Sequence, residues 1–297
     1  MTSLSLQLGL SAQRPLGRFA GPFDAYTTSL TGAWSVSRRL LASYTGSLIR
    51  IRRSSDSTEQ DIGADAAGNL DTAAITTFVG SNSAFVRTLY HQNGGVNLGQ
   101  ATAASQPRIV NAGTLETVNG KPACLFTGSL FLEAALSGGG ASAWTNYMAG
   151  GVTANQAGQS YARLLAAGAA GVNDWTNVNG FVGFARVVTG TSYNVQFNGT
   201  SSSAVTLADG SNMIVVSRFQ AGNPVRYLKV NAGAAVTENT AATPNFTFTT
   251  LRVGRGVSST DTLEHFTGKA SEVVCYSTAH ADPTVLMGVM NTYFSLY

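Results

Sequence analysis

The stretch Ile49-Arg50-Ile51-Arg52-Arg53-Ser54-Ser55-Asp56 lies in the region that decides the fold. Isoleucine and arginine alternate at its start, which is the period of two expected of a strand. The region also contains further short phrases, in the order Ala33-Trp34-Ser35-Val36-Ser37-Arg38-Arg39-Leu40, Glu59-Gln60-Asp61-Ile62-Gly63, Asn69-Leu70-Asp71-Thr72-Ala73, Gln106-Pro107-Arg108-Ile109-Val110-Asn111-Ala112-Gly113 and Asn119-Gly120-Lys121-Pro122-Ala123. Most of them pair apolar residues with Gly, Asn or Asp, which predicts short elements joined by tight turns.

In order and spacing, these phrases resemble the first part of the catalytic domain of family 54 α-L-arabinofuranosidases. The same module is found in phage and bacterial surface proteins. The resemblance extends over residues 26–128. It implies a concanavalin-like β-sandwich and a function connected with sugar.

From about residue 107 onward the pattern is all β, with loops of Gly, Ser, Asn and Thr between apolar runs. Met213-Ile214-Val215-Val216 is continuously apolar, so we expect that strand to be buried on both faces. Phe246-Thr247-Phe248-Thr249 alternates, which indicates one exposed face. The predicted strands are 123–127, 130–134, 145–151, 161–167, 180–188, 193–198, 212–219, 225–231, 246–253 and 268–276.

Helical signals are few. Residues 33–44 are predicted to form a short helix, and Asp71 is predicted to cap a second one that stops near Gly80. At the end of the chain, Asp282 and Pro283 precede a pattern with one apolar face, made of Val285, Leu286, Val289, Met290 and Tyr293. This helix, and the strand before it, resemble the closing elements of laminin-G-like jelly rolls. We therefore predict an all-β, concanavalin-like β-sandwich (jelly roll) with a few short helices, a C-terminal helix and an extended N-terminal arm.

The predicted arm is residues 1–25, and residues 26–297 form the jelly-roll domain. Leu4, Leu6, Leu8 and Leu10 alternate with polar or small residues and precede a segment rich in Pro and Gly. Such an arm pairs with the sheet edge of another subunit, or it forms an edge strand of its own sandwich. The N-terminus has no basic segment followed by an apolar run, so we expect no secretory signal.

Composition narrows the function classes. Charged residues are only 11% of the 297, against roughly 25% in average soluble proteins, and glycine occurs 33 times. The net charge of +3 gives no indication of nucleic-acid binding. No apolar run is long enough for a membrane-spanning helix, so we expect no membrane insertion.

Cys124 and Cys275 lie in apolar strand patterns and are expected to be two free thiols, or one bridge if their strands are neighbours.

Five arginines fall close together, at positions 38, 39, 50, 52 and 53. They form either a patch for acidic glycans or a set of side chains that cover apolar surface and pair with Asp56, Glu59 and Asp61. The same acids, or Asp65, Asn69 and Asp71, are alternative ligands for Ca²⁺. The second set lacks the bidentate Glu of an EF-hand loop. We expect no metal site and no cofactor.

Glycoside hydrolysis needs two carboxylates on either side of the scissile bond. The resemblance implies a nucleophilic Glu and an acid Asp beyond the matched phrases, and an adjacent Cys-Cys pair in the site. This sequence has no Cys-Cys pair, and Asp174 and Asp209 are the only acidic residues between 134 and 237. Tyr90-His91-Gln92-Asn93-Gly94 and Phe126-Thr127-Gly128 also lack an Asp of the family pattern. The catalytic pair cannot be placed, so we expect a protein that is not an enzyme.

Sugar binding needs aromatic faces and amide or carboxylate groups. The segment Asn173-Asp174-Trp175-Thr176-Asn177 offers them in a polar loop, with Asn173, Asp174, Trp175 and Asn177 as candidate ligands. Alternatively, Trp175 folds back to cap the edge of the sandwich. A second candidate is Trp144 with Asn146 and Tyr147, for which the alternative is a core strand.

These observations lead to one functional expectation with two alternatives. We expect a phage or phage-like virion surface protein, a head decoration, fibre or tail component made in the host cytoplasm. It would be a homo-oligomer that attaches to virion structural proteins through the arm and binds host surface polysaccharide weakly. The alternatives are a glycoside hydrolase of arabinofuranosidase type and a purely structural cementing protein.

Overall fold

The computed structural model describes residues 19–153, 162–169, 179–186, 191–222, 225–239, 243–257 and 264–297. Within them are two α-helices, α1 (Thr72–Val79) and α2 (Thr284–Phe294), and two 3₁₀ turns, Asp24–Tyr26 and Ala103–Ser105. The strands are β1 (Leu30–Ser35), β2 (Ile49–Arg53), β3 (Glu59–Ile62), β4 (Ala84–Leu89), β5 (Leu98–Gly99), β6 (Arg108–Asn111), β7 (Thr114–Leu115), β8 (Thr117–Val118), β9 (Lys121–Pro122), β10 (Cys124–Phe126), β11 (Leu132–Ala134), β12 (Ala143–Val152), β13 (Arg163–Gly168), β14 (Phe181–Arg186), β15 (Ser192–Phe197), β16 (Thr200–Ser201), β17 (Val205–Thr206), β18 (Asn212–Gln220), β19 (Arg226–Val230), β20 (Val236–Glu238), β21 (Thr250–Val253) and β22 (Gly268–Tyr276).

The two longest ladders centre on β12. This strand pairs antiparallel with β18 on one side, where Met148 lies opposite Val215, and with β22 on the other, where Met148 lies opposite Val273. β1 and β10 continue the sheet beyond β22, and β19 and β20 continue it beyond β18.

A second sheet is formed by β11, β21, β13, β14 and β15 in that order, again antiparallel. Pairings from β10 through β6, β4 and β5 to β11 join it to the first sheet. The sandwich is therefore closed by hydrogen bonds along this side. This all-β sandwich confirms the predicted fold class.

The main core lies between the sheets. Trp144 of β12 packs against Phe181 of β14, with ring centroids 6.0 Å apart, and against Phe248, 5.0 Å away. A second core lies on the opposite face of the first sheet, where Ile214 and Val216 belong to the same apolar cluster as α2. Because Met213 and Val215 face the first core, the run 213–216 is buried on both faces, as its continuous apolar pattern predicts.

Helix α1 begins where the sequence predicts. Asp71 accepts a hydrogen bond from the backbone N–H of Ala74 at 2.9 Å, and the backbone N–H of Gly80 donates to the carbonyl of Thr76 in the last turn.

In the predicted strand 246–253, Phe246 and Phe248 are buried and Thr247 and Thr249 are exposed. Only Thr250–Val253 forms a ladder there, because the preceding residues hydrogen-bond to a turn at 138–141 instead.

The predicted helix at 33–44 is wrong. Residues up to Ser35 belong to β1, with Trp34 opposite Val273 of β22, and the chain then continues without regular structure until Ile49. The spacing of Trp34, Leu40 and Leu41 suits a helix, but all three are fully buried by pairing and packing with distant elements. Tertiary contacts override the local pattern here.

The C-terminal helix is confirmed, but its details differ from the prediction. Pro283 occupies the N-cap position, and Asp282 accepts a hydrogen bond from the backbone N–H of Thr284 at 2.9 Å. The face that packs against the sheet is Leu286, Met287, Met290 and Phe294, whereas Val285 is 48% exposed. The buried stripe is rotated because Met287 and Phe294 are buried against the sheet, whereas Val289 and Tyr293 are only partly buried there and Val285 faces away.

Three further observations concern the N-terminal arm, the two thiols and membrane-spanning helices. Leu4, Leu6, Leu8 and Leu10 lie outside the described residues, so the arm at 1–25 and its boundary stay predictions. Cys124 and Cys275 are free and buried. No helix within the described ranges is long and apolar enough to cross a membrane.

Candidate active site

One end of the second sheet gathers charged residues from several distant parts of the chain. β13 begins there at Arg163, β14 ends there, and β21 ends there at Val253, because antiparallel pairing places Arg163 opposite Ala185 and Leu165 opposite Val253. The chain returns to the same place at His265, which forms an isolated bridge with Arg163.

The centre of this group is an ion pair between the Nη1 of Arg163 and the Oε2 of Glu264. Arg163 is fully buried and Glu264 is 4% exposed. Removing such charges from water is unfavourable unless they are paired, so each group depends on the other. We call Arg163, Gly256, Glu264 and His265 the Arg163 cluster.

Position 256 requires glycine because the side chains of Glu264 and Arg163 lie close to its backbone. Its backbone N–H donates to the carbonyl of Glu264 at 3.1 Å. A Cβ at this position would lie 2.2 Å from Oε2 of Glu264 and 2.6 Å from Nη1 of Arg163. A larger residue would therefore separate the ion pair.

A second ion pair lies beside the cluster. Arg252 donates from Nε to Oε2 of Glu133 at 2.5 Å, across the β11–β21 ladder, and from Nη1 to the carbonyl of Gly256 at 3.0 Å. The guanidinium of Arg252 also lies 5.0 Å from the ring of Phe131. Arg252 thus connects a partly exposed carboxylate, Glu133, to the loop that holds the buried one.

Sequence analysis did not single out either Glu133 or Glu264 as a functional residue. Glu133 belongs to β11 and Glu264 lies between β21 and β22, and the two are distant in sequence, so no spacing rule connects them. The signal that was available is compositional: Glu264-His265 follows Arg255 within a loop, and charged residues are scarce in this chain.

Of the two sugar sites predicted from the sequence, one lies outside the described residues and the other is buried in the core. Asn173, Asp174, Trp175 and Asn177 lie outside the described residues, between the end of β13 and the start of β14, so this candidate site stays untested. Trp144, Asn146 and Tyr147 are completely buried in β12, and the indole of Trp144 donates to Oδ1 of Asn146 at 2.7 Å. The core-strand alternative is therefore the correct one for this trio.

Two of the five clustered arginines, Arg50 and Arg53, pair with the nearby acids, as one of the two sequence-based interpretations expects. Arg50 donates to both carboxylate oxygens of Asp61, and Arg53 donates to both oxygens of Asp56. These pairs lower the pKa of Asp56 and the pKa of Asp61.

The residues considered as Ca²⁺ ligands have other partners. Glu59 pairs with Arg87, Asp65 accepts from the backbone N–H of Asn69, and Asp71 caps α1. No group of three or more His, Cys, Asp or Glu in the described part of the chain is arranged to hold a metal ion.

Comparison with known proteins identifies the family. The family described as "Alpha-L-arabinofuranosidase B, catalytic" matches residues 22–172, just over half of the chain. Alpha-L-arabinofuranosidase B of Aspergillus oryzae is 35% identical over 102 residues, which are 33% of this chain and 20% of that protein. The probable alpha-L-arabinofuranosidase B of Aspergillus flavus is 34% identical over the same length. The match thus spans only about a fifth of the curated relatives.

Solved structures agree on the fold. A mutant family 54 α-L-arabinofuranosidase soaked with 4-nitrophenyl α-L-arabinofuranoside superposes with a TM-score of 0.66 at 18% identity, over 93% of this chain and 66% of that one. An arabinofuranosidase complexed with arabinofuranosyl-α-1,2-xylobiose gives a TM-score of 0.64 over 93% of this chain and 65% of that one. At this identity the likeness concerns the fold alone.

These findings correct the functional expectations. The predicted virion surface protein is wrong, because the matched family is a glycosidase catalytic domain. The predicted virion partners, host polysaccharide adhesion, oligomeric role and virion location were inferred from that role and are withdrawn with it. The expectation of a protein that is not an enzyme is also wrong. It depended on the absence of a Cys-Cys pair and on the catalytic carboxylates of the family pattern, which could not be placed in the sequence.

The sequence match over half of the chain and the shared sandwich lead to the same assignment, so this chain belongs to the alpha-L-arabinofuranosidase B catalytic-domain family.

Proposed function

We propose that this chain is a glycoside hydrolase that releases L-arabinofuranosyl groups from glycans. The observation that carries the proposal is the family match over residues 22–172. The curated relatives bear the name of this activity, and the structures with the same fold were solved with arabinofuranosides. The chain spans only part of these proteins, so its substrate is inferred from theirs.

The reaction needs one carboxylate as nucleophile or base and another as proton donor. All 15 acidic residues except Asp174 and Asp261 lie in the described part of the chain. Most of those described cap turns or form surface ion pairs. Glu272 is buried but is held on both oxygens by Arg38.

Glu264 is the best candidate for the nucleophile. It is a buried carboxylate at the end of the second sheet, and its negative charge is balanced by Arg163. A buried, fixed counter-charge holds a carboxylate in a single orientation, as nucleophilic attack on an anomeric carbon requires.

Three acidic residues are candidates for the proton donor. Glu133 lies beside the cluster through Arg252. Asp209 lies in the exposed turn before β18, and Asp261 precedes Glu264 by three positions but falls outside the described residues. Each of them is a single-substitution test.

The experiment measures release of 4-nitrophenol from 4-nitrophenyl α-L-arabinofuranoside and of arabinose from arabinofuranosyl-α-1,2-xylobiose. We expect Glu264→Gln to lower kcat/KM for both by about 10²–10⁴-fold. The proton donor is the one among Glu133→Gln, Asp209→Asn and Asp261→Asn that loses activity mainly on the xylobiose substrate. Nitrophenolate is a good leaving group and needs less help from an acid.

Asp56→Asn is the matched control, because Asp56 is an exposed carboxylate paired with Arg53 far along the chain from the cluster. It should retain full activity, and every variant should keep the wild-type circular dichroism spectrum. If the wild-type chain releases no nitrophenol while a fungal family 54 enzyme does so in the same assay, the proposed function is incorrect.

A further inference from the structure

Arg39 lines a polar cavity away from the Arg163 cluster. The cavity has a volume of about 160 Å³ and is bordered by Arg39, Thr45, Gly46, Ser47, Gly63 and Ala64. It lies between the irregular segment that follows β1 and the end of β3. At about 30 Å³ for each water molecule, this space admits a group of roughly five heavy atoms.

The guanidinium of Arg39 stacks on an aromatic ring and has no anionic partner in the part of the chain that the structure describes. The Cζ atom of Arg39 lies 3.8 Å from the centroid of the Phe19 ring. The backbone N–H of Arg39 donates to the carbonyl of Gly68 at 2.6 Å. Within the described residues it forms no ion pair, and its Nε is buried without a hydrogen-bond acceptor. A buried donor left in this state is unfavourable by the loss of its hydration.

The neighbouring arginines show how unusual this is for the chain. Arg38, the preceding residue in the sequence, donates to both carboxylate oxygens of Glu272. Arg50 forms an ion pair with Asp61. The nearest acids in sequence to the cavity wall are Asp61 and Asp65, and these are committed to Arg50 and to the backbone of Asn69. The first 18 residues, which precede Phe19, contain no Asp or Glu. No carboxylate side chain of that segment can therefore neutralise Arg39.

We propose that the Arg39 cavity binds a small oxyanion, the carboxylate of an acidic sugar or a phosphate. The planar guanidinium supplies paired donors to two oxygens of such a group, and stacking on Phe19 keeps it oriented. Thr45 and Ser47 line the same cavity. A hydroxyl group can donate to an anion's remaining oxygens or bond to a sugar hydroxyl. The proposal does not depend on the hydrolase activity, because the two sites share no residue.

The test is isothermal titration of the full chain at low salt with galacturonate, inorganic phosphate and acetate, and with galactose as the neutral counterpart of galacturonate. We expect saturable binding of at least one anion and none of galactose. Tight binding of galacturonate alone identifies an acidic sugar as the ligand, whereas phosphate alone identifies a phosphorylated one. Arg39→Gln should weaken binding at least about tenfold.

Arg87→Gln is the control, because Arg87 is a surface arginine paired with Glu59. General attraction to a basic surface would fall equally in both variants, and that result would overturn the proposal. Lack of saturable binding of all three anions by the folded wild-type chain would overturn it as well. Phe19→Leu provides a second variant, since it keeps the charge but removes the stacking surface and should weaken binding less than Arg39→Gln.

Discussion

Arg38 and Glu272 form a bidentate ion pair in the interior of the sandwich. Nε of Arg38 lies 2.9 Å from Oε2 of Glu272, and Nη2 lies 3.0 Å from Oε1. The hydroxyl of Ser35 donates to the same carboxylate at 3.4 Å, and the ring of Tyr293 lies 4.3 Å from the guanidinium. The pair therefore ties the irregular segment after β1 to the central strand β22 and to α2.

Breaking this pair on one side should strongly destabilise the fold. Arg38→Met leaves the carboxylate of Glu272, which is completely buried, without its counter-charge. We expect the free energy of unfolding in urea to fall by about 3–5 kcal/mol. The double variant Arg38→Met with Glu272→Met should lose less, because no charge is left unpaired.

Arg53→Met is the surface comparison, since Arg53 and Asp56 form an ion pair at the edge of the fold. Its unfolding curve should overlap that of the wild type. If Arg38→Met proves as stable as Arg53→Met, the interior pair contributes no more than a surface one.

Stability should decrease as the pH falls from 7.5 to 5.5, and His91 should account for part of the change. Burial lowers the pKa of His91 below its ordinary value of 6.5. Its Nδ1 accepts from the backbone N–H groups of Asn93 and Gly95 at 3.0 and 2.9 Å, and its Nε2 donates to the carbonyl of Thr31. The folded state therefore favours the neutral ring.

Proton binding at His91 determines the direction in which the unfolding free energy changes with pH. Below about pH 6.5 the unfolded chain takes up a proton at His91 that the folded chain binds only at lower pH, so acid favours unfolding. His91→Gln should reduce the slope of unfolding free energy against pH, measured by urea titrations across this range. An unchanged slope would assign the effect to other groups, such as His280, whose pKa burial also lowers.

Gly150 should not accept a side chain. It lies at an irregularity in the β12–β22 ladder, where a Cβ would be 2.2 Å from the carbonyl oxygen of Lys269. The backbone must shift to relieve this contact, so Gly150→Ala should lower the unfolding free energy by about 1–3 kcal/mol.

Gly288 is the matched control. It is an exposed residue inside α2, and a Cβ there would meet nothing within 4 Å. Gly288→Ala should raise stability by about 0.5–1 kcal/mol, because alanine is the better helix former. Equal thermal midpoints for the two variants would show that Gly150 is not constrained by Lys269.

Both thiols should be unreactive in the folded protein. Cys124 and Cys275 are 1% and 0% exposed, and burial raises the pKa of each thiol. Because the thiolate is the reactive species, Ellman's reagent should modify neither residue under native conditions and both after unfolding in urea. Rapid modification of the native chain would reveal an opening of the core around β10 and β22.

Much of the fold was determined by local sequence. The continuous apolar run at Met213–Val216 predicts burial on both faces, and Asp71 before Thr72 predicts a capped helix, because both signals act between near neighbours in the chain. The resemblance carried by the phrases before residue 128 also implies the sandwich, and the structure confirms it.

Tertiary structure alone decided where the candidate functional groups lie. The helical spacing at 33–44 yields to strand pairing with β22, since a ladder and a buried ion pair outweigh a weak helical preference. The Arg163 cluster has no local signature, because β13, β21 and the segment before β22 meet only when the second sheet forms. Cooperative packing between distant segments creates this site, so composition and spacing could predict the sandwich but not the place where its charges converge.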